Sequence, residues 1–123
     1  MGDTMLALTA LRADVVQQLL RRGTATVELI SYDNVQTALK LREGDKVFVT
    51  DDLGEDISRG TQGVVCIVER ISIDHVRVRW APEVDEREIL RARLRLKALS
   101  PARVRKASEA GVEIEEFTHA LLG

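Results

Sequence analysis

The sequence predicts an α+β protein: short antiparallel strands punctuated by glycine, held between an N-terminal helix and two short C-terminal helices. Three observations carry that reading. Through residues 4–22, Leu8, Leu11, Val15 and Leu19 recur at three- and four-residue spacing, and Val16 and Leu20 widen the stripe. From residue 41 the spacing shortens to alternation, with Val47 and Val49, then Leu90, Ala92, Leu94, Leu96 and Ala98, each set on one face. Beyond residue 99, Ser100-Pro101 reads as an N-cap followed by a first-turn proline, and Gly111 as a helix stop.

Element by element, the first helix spans residues 4–22, with Arg21 and Arg22 in its last turn and Gly23 ending it. Residues 24–31 favour a strand that carries Ala25, Val27 and Leu29 on one face. Asp33 or Asn34 could cap a short helix running to about residue 41. Residues 45–50 alternate, residues 50–59 form an acidic loop, and Gly60 and Gly63 bracket a tight turn. Residues 64–73 are apolar on both faces at first, so that strand needs cover on both, one side from the N-terminal helix. Asp74-His75 is expected to turn the chain into a strand at 76–80. Residues 88–99 have a helical composition, yet their alternation runs nine residues without a break in parity, which favours a strand. Helices are then expected at residues 100–110 and 113–122.

With 123 residues, the chain suffices for one domain and one core. That domain divides into a helical N-terminal extension with one strand (1–40), a strand-rich middle (41–99) and the C-terminal helices (100–123). A charged fraction of 31% against 45% hydrophobic residues excludes wholesale disorder. The longest uncharged run between two charges is nine residues, far short of the roughly 20 that a membrane-spanning helix needs. The start has no basic n-region, so no secretory signal is expected. The single cysteine excludes an internal disulfide framework, and the expected address is a reducing cytoplasm.

The net charge of −2 conceals an asymmetry. Residues 43–57 sum to −5, residues 87–106 to +7, and the tail from residue 107 to −4. Arginine outnumbers lysine 14 to 4, and its fork suits carboxylates and phosphates. Such segments can bind an anionic partner, or cancel within the fold or across a dimer.

The run Gly44-Asp-Lys-Val-Phe-Val49, then Arg59-Gly-Thr-Gln-Gly-Val-Val65, then Val76-Arg-Val78 resembles the opening of KOW-type SH3-like barrels, and several small bacterial SH3-like families. The resemblance covers about residues 41–99 and implies a small SH3-like antiparallel β-barrel, with Gly60 and Gly63 adopting positive φ at a corner. RNA-touching loops of KOW domains tend to be short and rich in Lys and Gly. The loop at 50–59 is longer and acidic, so RNA binding does not carry over with the fold.

The strongest candidate site is a basic face. If strands 76–80 and 90–98 are antiparallel neighbours, Arg77, Arg79, Arg91, Arg93, Arg95 and Lys97 project from one surface at about 7 Å steps, comparable to phosphate spacing. The bland alternative pairs these arginines with Glu69, Asp85, Glu86, Glu88 or the acidic loop, because like charges across strands destabilise a sheet. Trp80 falls on the inward parity and reads as core. Asp51, Asp52, Glu55 and Asp56 lack the alternating spacing of a calcium loop, so no metal is expected. Cys66 reads as a buried inert thiol. His75 and His119 complete no catalytic or ligand set, and the glycines at 60 and 63 precede no nucleotide-binding lysine. The expectation is a non-catalytic protein-interaction or adaptor module without a cofactor, small-molecule substrate or membrane. Its partner would be an acidic protein surface or a second copy of itself, and the alternative is RNA or DNA on the arginine face.

Overall fold

Two long strands organise the molecule. In the computed structural model, which describes residues 4–54, 57–78 and 87–116, β5 (Gln62–Val78) and β6 (Arg87–Ser108) pair antiparallel, from Gln62 opposite Arg103 to Val78 opposite Arg87. Around them lie β1 (Thr4–Met5), β2 (Ala7–Leu8), α1 (Ala13–Arg22), β3 (Thr24–Leu29), α2 (Tyr32–Lys40), β4 (Lys46–Val49) and β7 (Gly111–Glu116). The sheet runs β1-β7-β6-β5-β4-β2, and β3 pairs with β6 off this path. Among these pairings only β2 with β4 is parallel.

A small SH3-like barrel flanked by one N-terminal and two C-terminal helices is therefore not what forms. The described residues build an open, mixed seven-stranded sheet with two short helices, and the expected C-terminal helices are absent from it. Three local differences produce the change. Residues 4–8 are strand, because Leu6 and Leu8 carbonyls accept the Phe48 and Thr50 amides at 3.0 Å each, and helix begins only at Ala13. The expected turn at Asp74-His75 is continuous strand, its residues opposite Arg91 and Leu90. After Ser100 the chain stays extended: Ala102 and Val104 are buried while Arg103 and Arg105 are exposed, a period of two that overrides helical composition.

Pro101 fits that strand because it sits beside a register shift, where a missing N–H is tolerated. Gly111, expected to stop a helix, instead opens β7 at φ 138°, where a Cβ would run into the Met5 carbonyl. Residues 113–116 belong to β7, and the rest of that expected helix lies outside the described residues.

Several elements form as expected. Gly23 ends α1 with φ 81° and donates its N–H to the Leu19 carbonyl at 2.9 Å. Strands occupy residues 24–29 of the expected 24–31 and 46–49 of the expected 45–50, and β6 takes residues 88–99 as strand. α2 is capped by Ser31, whose Oγ accepts from the Asn34 amide at 3.4 Å, not by Asp33 or Asn34.

Each face of the sheet carries a core over part of its area. One cluster joins Val16 and Leu19 of α1 and Val35 and Ala38 of α2 to Val47, Val49, Val64, Cys66, Val68, Ala92, Leu94 and Leu96. The other gathers Phe48, Val65, Ala102, Val104 and Val112, with Met5, Ala7 and Ile114 packed against it. Val64 and Val65 thus enter different cores, which is why that strand is apolar on both faces.

Candidate functional site

The first half of β6 is the middle of three strands, with β3 on one side and β5 on the other. Its inward residues Ala92, Leu94 and Leu96 are wholly buried, which turns Arg93, Arg95 and Lys97 to the opposite, exposed face. Arg91 shares that parity and is half-buried. Arg77 stands on β5 opposite Glu88 by backbone register, and Arg79 lies outside the described residues. The structure therefore brings together four of the six basic residues expected there, on one strand.

Each arginine of that row faces a carboxylate on a neighbouring strand. Arg91 forks onto Asp74 of β5, with Nε to Oδ1 at 3.2 Å and Nη2 to Oδ2 at 2.7 Å. Arg93 reaches the other way, to Glu28 of β3, at 2.5 Å. Arg95 donates from Nε to Glu69 at 3.3 Å. Glu69 is placed by a register shift between Val68 and Arg70, which sets the extra residue beside Arg95. Lys97, between Thr24 and Ile67, makes no ion pair with any described residue. The hydrogen bond from Arg91 holds the Asp74 carboxyl below the usual aspartate range and raises Arg91 in turn.

Charge is cancelled at the far end of β6 as well. Arg103 pairs with Glu115 at 3.0 Å, and Lys106 lies opposite Glu113. The +7 and −4 segments are adjacent strands of one sheet, so much of the asymmetry is internal. Asp51 and Asp52 of the acidic loop make no ion pair with the arginine row. Instead, Asp52 accepts the Ala10 amide at 2.7 Å and donates its own N–H to Thr50 Oγ1 at 3.2 Å. Glu55, Asp56, Asp85 and Glu86 lie outside the described residues.

Sequence reasoning missed Glu28 and Asp74 as partners. The signal for Glu28 was present, since Thr24, Thr26 and Glu28 share the outward parity of their strand, but nothing local says which strand lies beside it. A second basic group also escaped notice. Arg59, Arg103 and Arg105 line a cleft of about 640 Å³ with Glu115, assembled where the Gly60 turn hydrogen-bonds to Val104.

Cys66 is fully buried and burial pushes its thiol up to about 12, so it holds no thiolate at neutral pH. His75 sits on β5 opposite Leu90, while Trp80 and His119 lie outside the described residues. Among the described residues no group of three or more His, Cys, Asp or Glu side chains is placed to hold a metal ion. No helix among them is long and apolar enough to cross a membrane. Gly60 takes φ 97° as expected at a corner, whereas Gly63 has an ordinary φ and is small for another reason: a Cβ there would meet the Val49 carbonyl and the Phe48 ring.

Residues 3–117 match the family described as Protein of unknown function (DUF473). The chain belongs to that family. It is also similar to an uncharacterized protein of Methanocaldococcus jannaschii, 29% identical over 111 residues that cover 87% of this chain and 68% of the relative. No solved structure matches the chain.

Proposed function

We propose that this protein is a non-catalytic protein-interaction module working in a cytoplasm, and that its partner is a protein surface, a second copy of the chain included. One observation supports this most directly. The arginine row is not a bare polycation, because Arg91, Arg93 and Arg95 each have a carboxylate partner. A face of alternating fixed charges offers a phosphate backbone little net attraction, since such binding scales with the phosphates neutralised. It suits a protein surface, where complementary charge sets register and partner choice.

The test is fluorescence anisotropy of mixed-sequence RNA and duplex DNA at about 50 mM and then about 200 mM salt, run beside light-scattering mass across a concentration series. The expected result is no saturable oligonucleotide binding at the lower salt and a mass that rises with concentration. Micromolar binding that weakens steeply with salt and disappears when Arg91, Arg93 and Arg95 become Glu would replace this reading with the nucleic-acid one.

A second reading rests on a different place. Among the described residues, Arg59, Arg103 and Arg105 line one cleft together with Glu115. Nucleic acid bound through that cleft would lose affinity in an Arg59→Ala/Arg105→Ala variant and keep it in the triple glutamate variant of the row.

A further inference from the structure

Among the described residues β3 is an edge strand, paired with β6 alone through six residues without a register shift. Its backbone parity is explicit. Gly23 C=O accepts the Ala98 amide at 2.7 Å, so Gly23 and the odd positions after it point toward β6. Thr24 C=O points the other way and takes only a long bond, 3.4 Å, from the Gln18 side-chain amide. By the same alternation the N–H and C=O groups of Thr26 and Glu28 point outward, and no described residue partners them.

Exposed edges are ordinarily guarded by proline, bulges or charge, because they template the addition of another strand. A second edge left open among the described residues shows such guards: β5 reaches residues 71–78 after a register shift and carries Asp74 there. β3 has no proline and no bulge, and its one charge, Glu28, is held by Arg93 as Asp74 is by Arg91.

We propose that β3 pairs antiparallel with β3 of a second copy about a two-fold axis at Thr26. This rests on the protein-interaction reading and names both its partner and its surface. The outward groups are self-complementary in that register: Thr26 faces its own copy and Thr24 faces the partner's Glu28, so six backbone hydrogen bonds close. Lys97, the one basic residue of the row without a carboxylate among the described residues, lies beside Thr24, two strand spacings or about 10 Å from the partner's Glu28, a carboxylate it would share with that copy's Arg93. Small Thr24 between them leaves that space open to a lysine and a glutamate side chain. Helix α1 packs on β3, β6 and β5, and its Gln18 gives up the long bond to the outward Thr24 carbonyl when the partner's Glu28 amide takes it.

The test combines light-scattering mass over a concentration series with residue-resolved hydrogen exchange. The proposal expects a mass of twice 13.7 kDa at high concentration, with the Thr24, Thr26 and Glu28 amides protected there and losing protection on dilution. Lys97→Glu leaves the melting temperature of the dilute monomer unchanged, since the residue is exposed, and raises the dimer dissociation constant about tenfold by setting like charges together. Thr26→Pro removes an outward N–H without touching a bond to β6, and yields a monomer. If that variant does not fold, Lys97→Glu and the exchange pattern decide.

A dimer indifferent to both variants, with the three amides exchanging freely, overturns the β3 edge and leaves the interaction reading standing. A monomer at every concentration, with the same free exchange, also overturns it. The anisotropy assay then reports separately whether the interaction reading has failed too.

Discussion

Asn34 is buried at 6% exposure on α2, and its amide clamps a segment 25 residues away. Oδ1 accepts the Thr9 amide at 3.0 Å and Nδ2 donates to the Thr9 carbonyl at 2.7 Å, so the side chain imitates a neighbouring strand. The clamped segment leads directly into Ala10, at φ 55°, whose N–H goes to Asp52. Asn34→Ala removes two hydrogen bonds, about 1 kcal/mol each, and leaves two backbone groups without partners, which costs more where water does not reach them. Thr9 is only half-buried, so water recovers part of that loss. The expected total is about 2–4 kcal/mol.

Asn34→Asp separates the two bonds. A carboxylate still accepts from the Thr9 amide, but its second oxygen faces a carbonyl at hydrogen-bond distance, and only the protonated form donates there. The folded-state pKa of the introduced carboxyl is therefore raised above its unfolded value of about 4. Its contribution is present below the unfolded value and is lost as pH rises through the folded one. Urea denaturation of wild type and both variants at several pH values measures this as a shift in midpoint at constant slope. An Asn34→Ala cost under about 0.5 kcal/mol, or a stability difference between Asn34→Asp and wild type that is flat with pH, would refute the clamp.

Gly63→Ala should destabilise by about 1–3 kcal/mol or prevent folding, because its Cβ meets the Val49 carbonyl, which is backbone and cannot swing away; thermal melts compare it with Gly44→Ala, where a Cβ meets nothing and only the positive φ is strained. The Asp74 carboxyl should titrate below the ordinary aspartate range when followed by NMR, and return toward it in Arg91→Gln. With the folded pKa depressed, the pair's contribution is present above the unfolded value and disappears as pH falls through the folded one, and added salt should shrink it because both groups are exposed. Cys66 should react with a thiol reagent at neutral pH only as fast as the protein opens, so its labelling rate tracks denaturant; fast labelling of the native state would contradict its burial.

Local pattern was informative wherever one element's own period carried the answer. The parity of residues 90–98 was enough to make them strand against their helical composition, and to put Arg91, Arg93, Arg95 and Lys97 on one side. Gly23 marked the end of α1 for the same local reason, a left-handed residue after a basic last turn. Residues 4–8 and 100–116 misled because their strands exist only through pairing. Thr4 and Met5 are extended against β7, Ala7 and Leu8 against β4, and Ala102 and Val104 against the second core. Helical propensity is worth a few tenths of a kcal/mol per residue, and burial of an apolar side chain against a sheet outweighs it.

The candidate site divides along the same line. Composition and alternation alone establish a row of cations on one exposed strand face, because side-chain direction along a strand is a local property. Only the tertiary structure decides what that row is worth. It brings Glu28 from 65 residues away, Glu69 from 26 and Asp74 from 17 to within hydrogen-bond reach of Arg93, Arg95 and Arg91, and it sets Lys97 one strand in from the β3 edge. Electrostatic energy depends on distance in space, which strand order and register set and which no local period encodes.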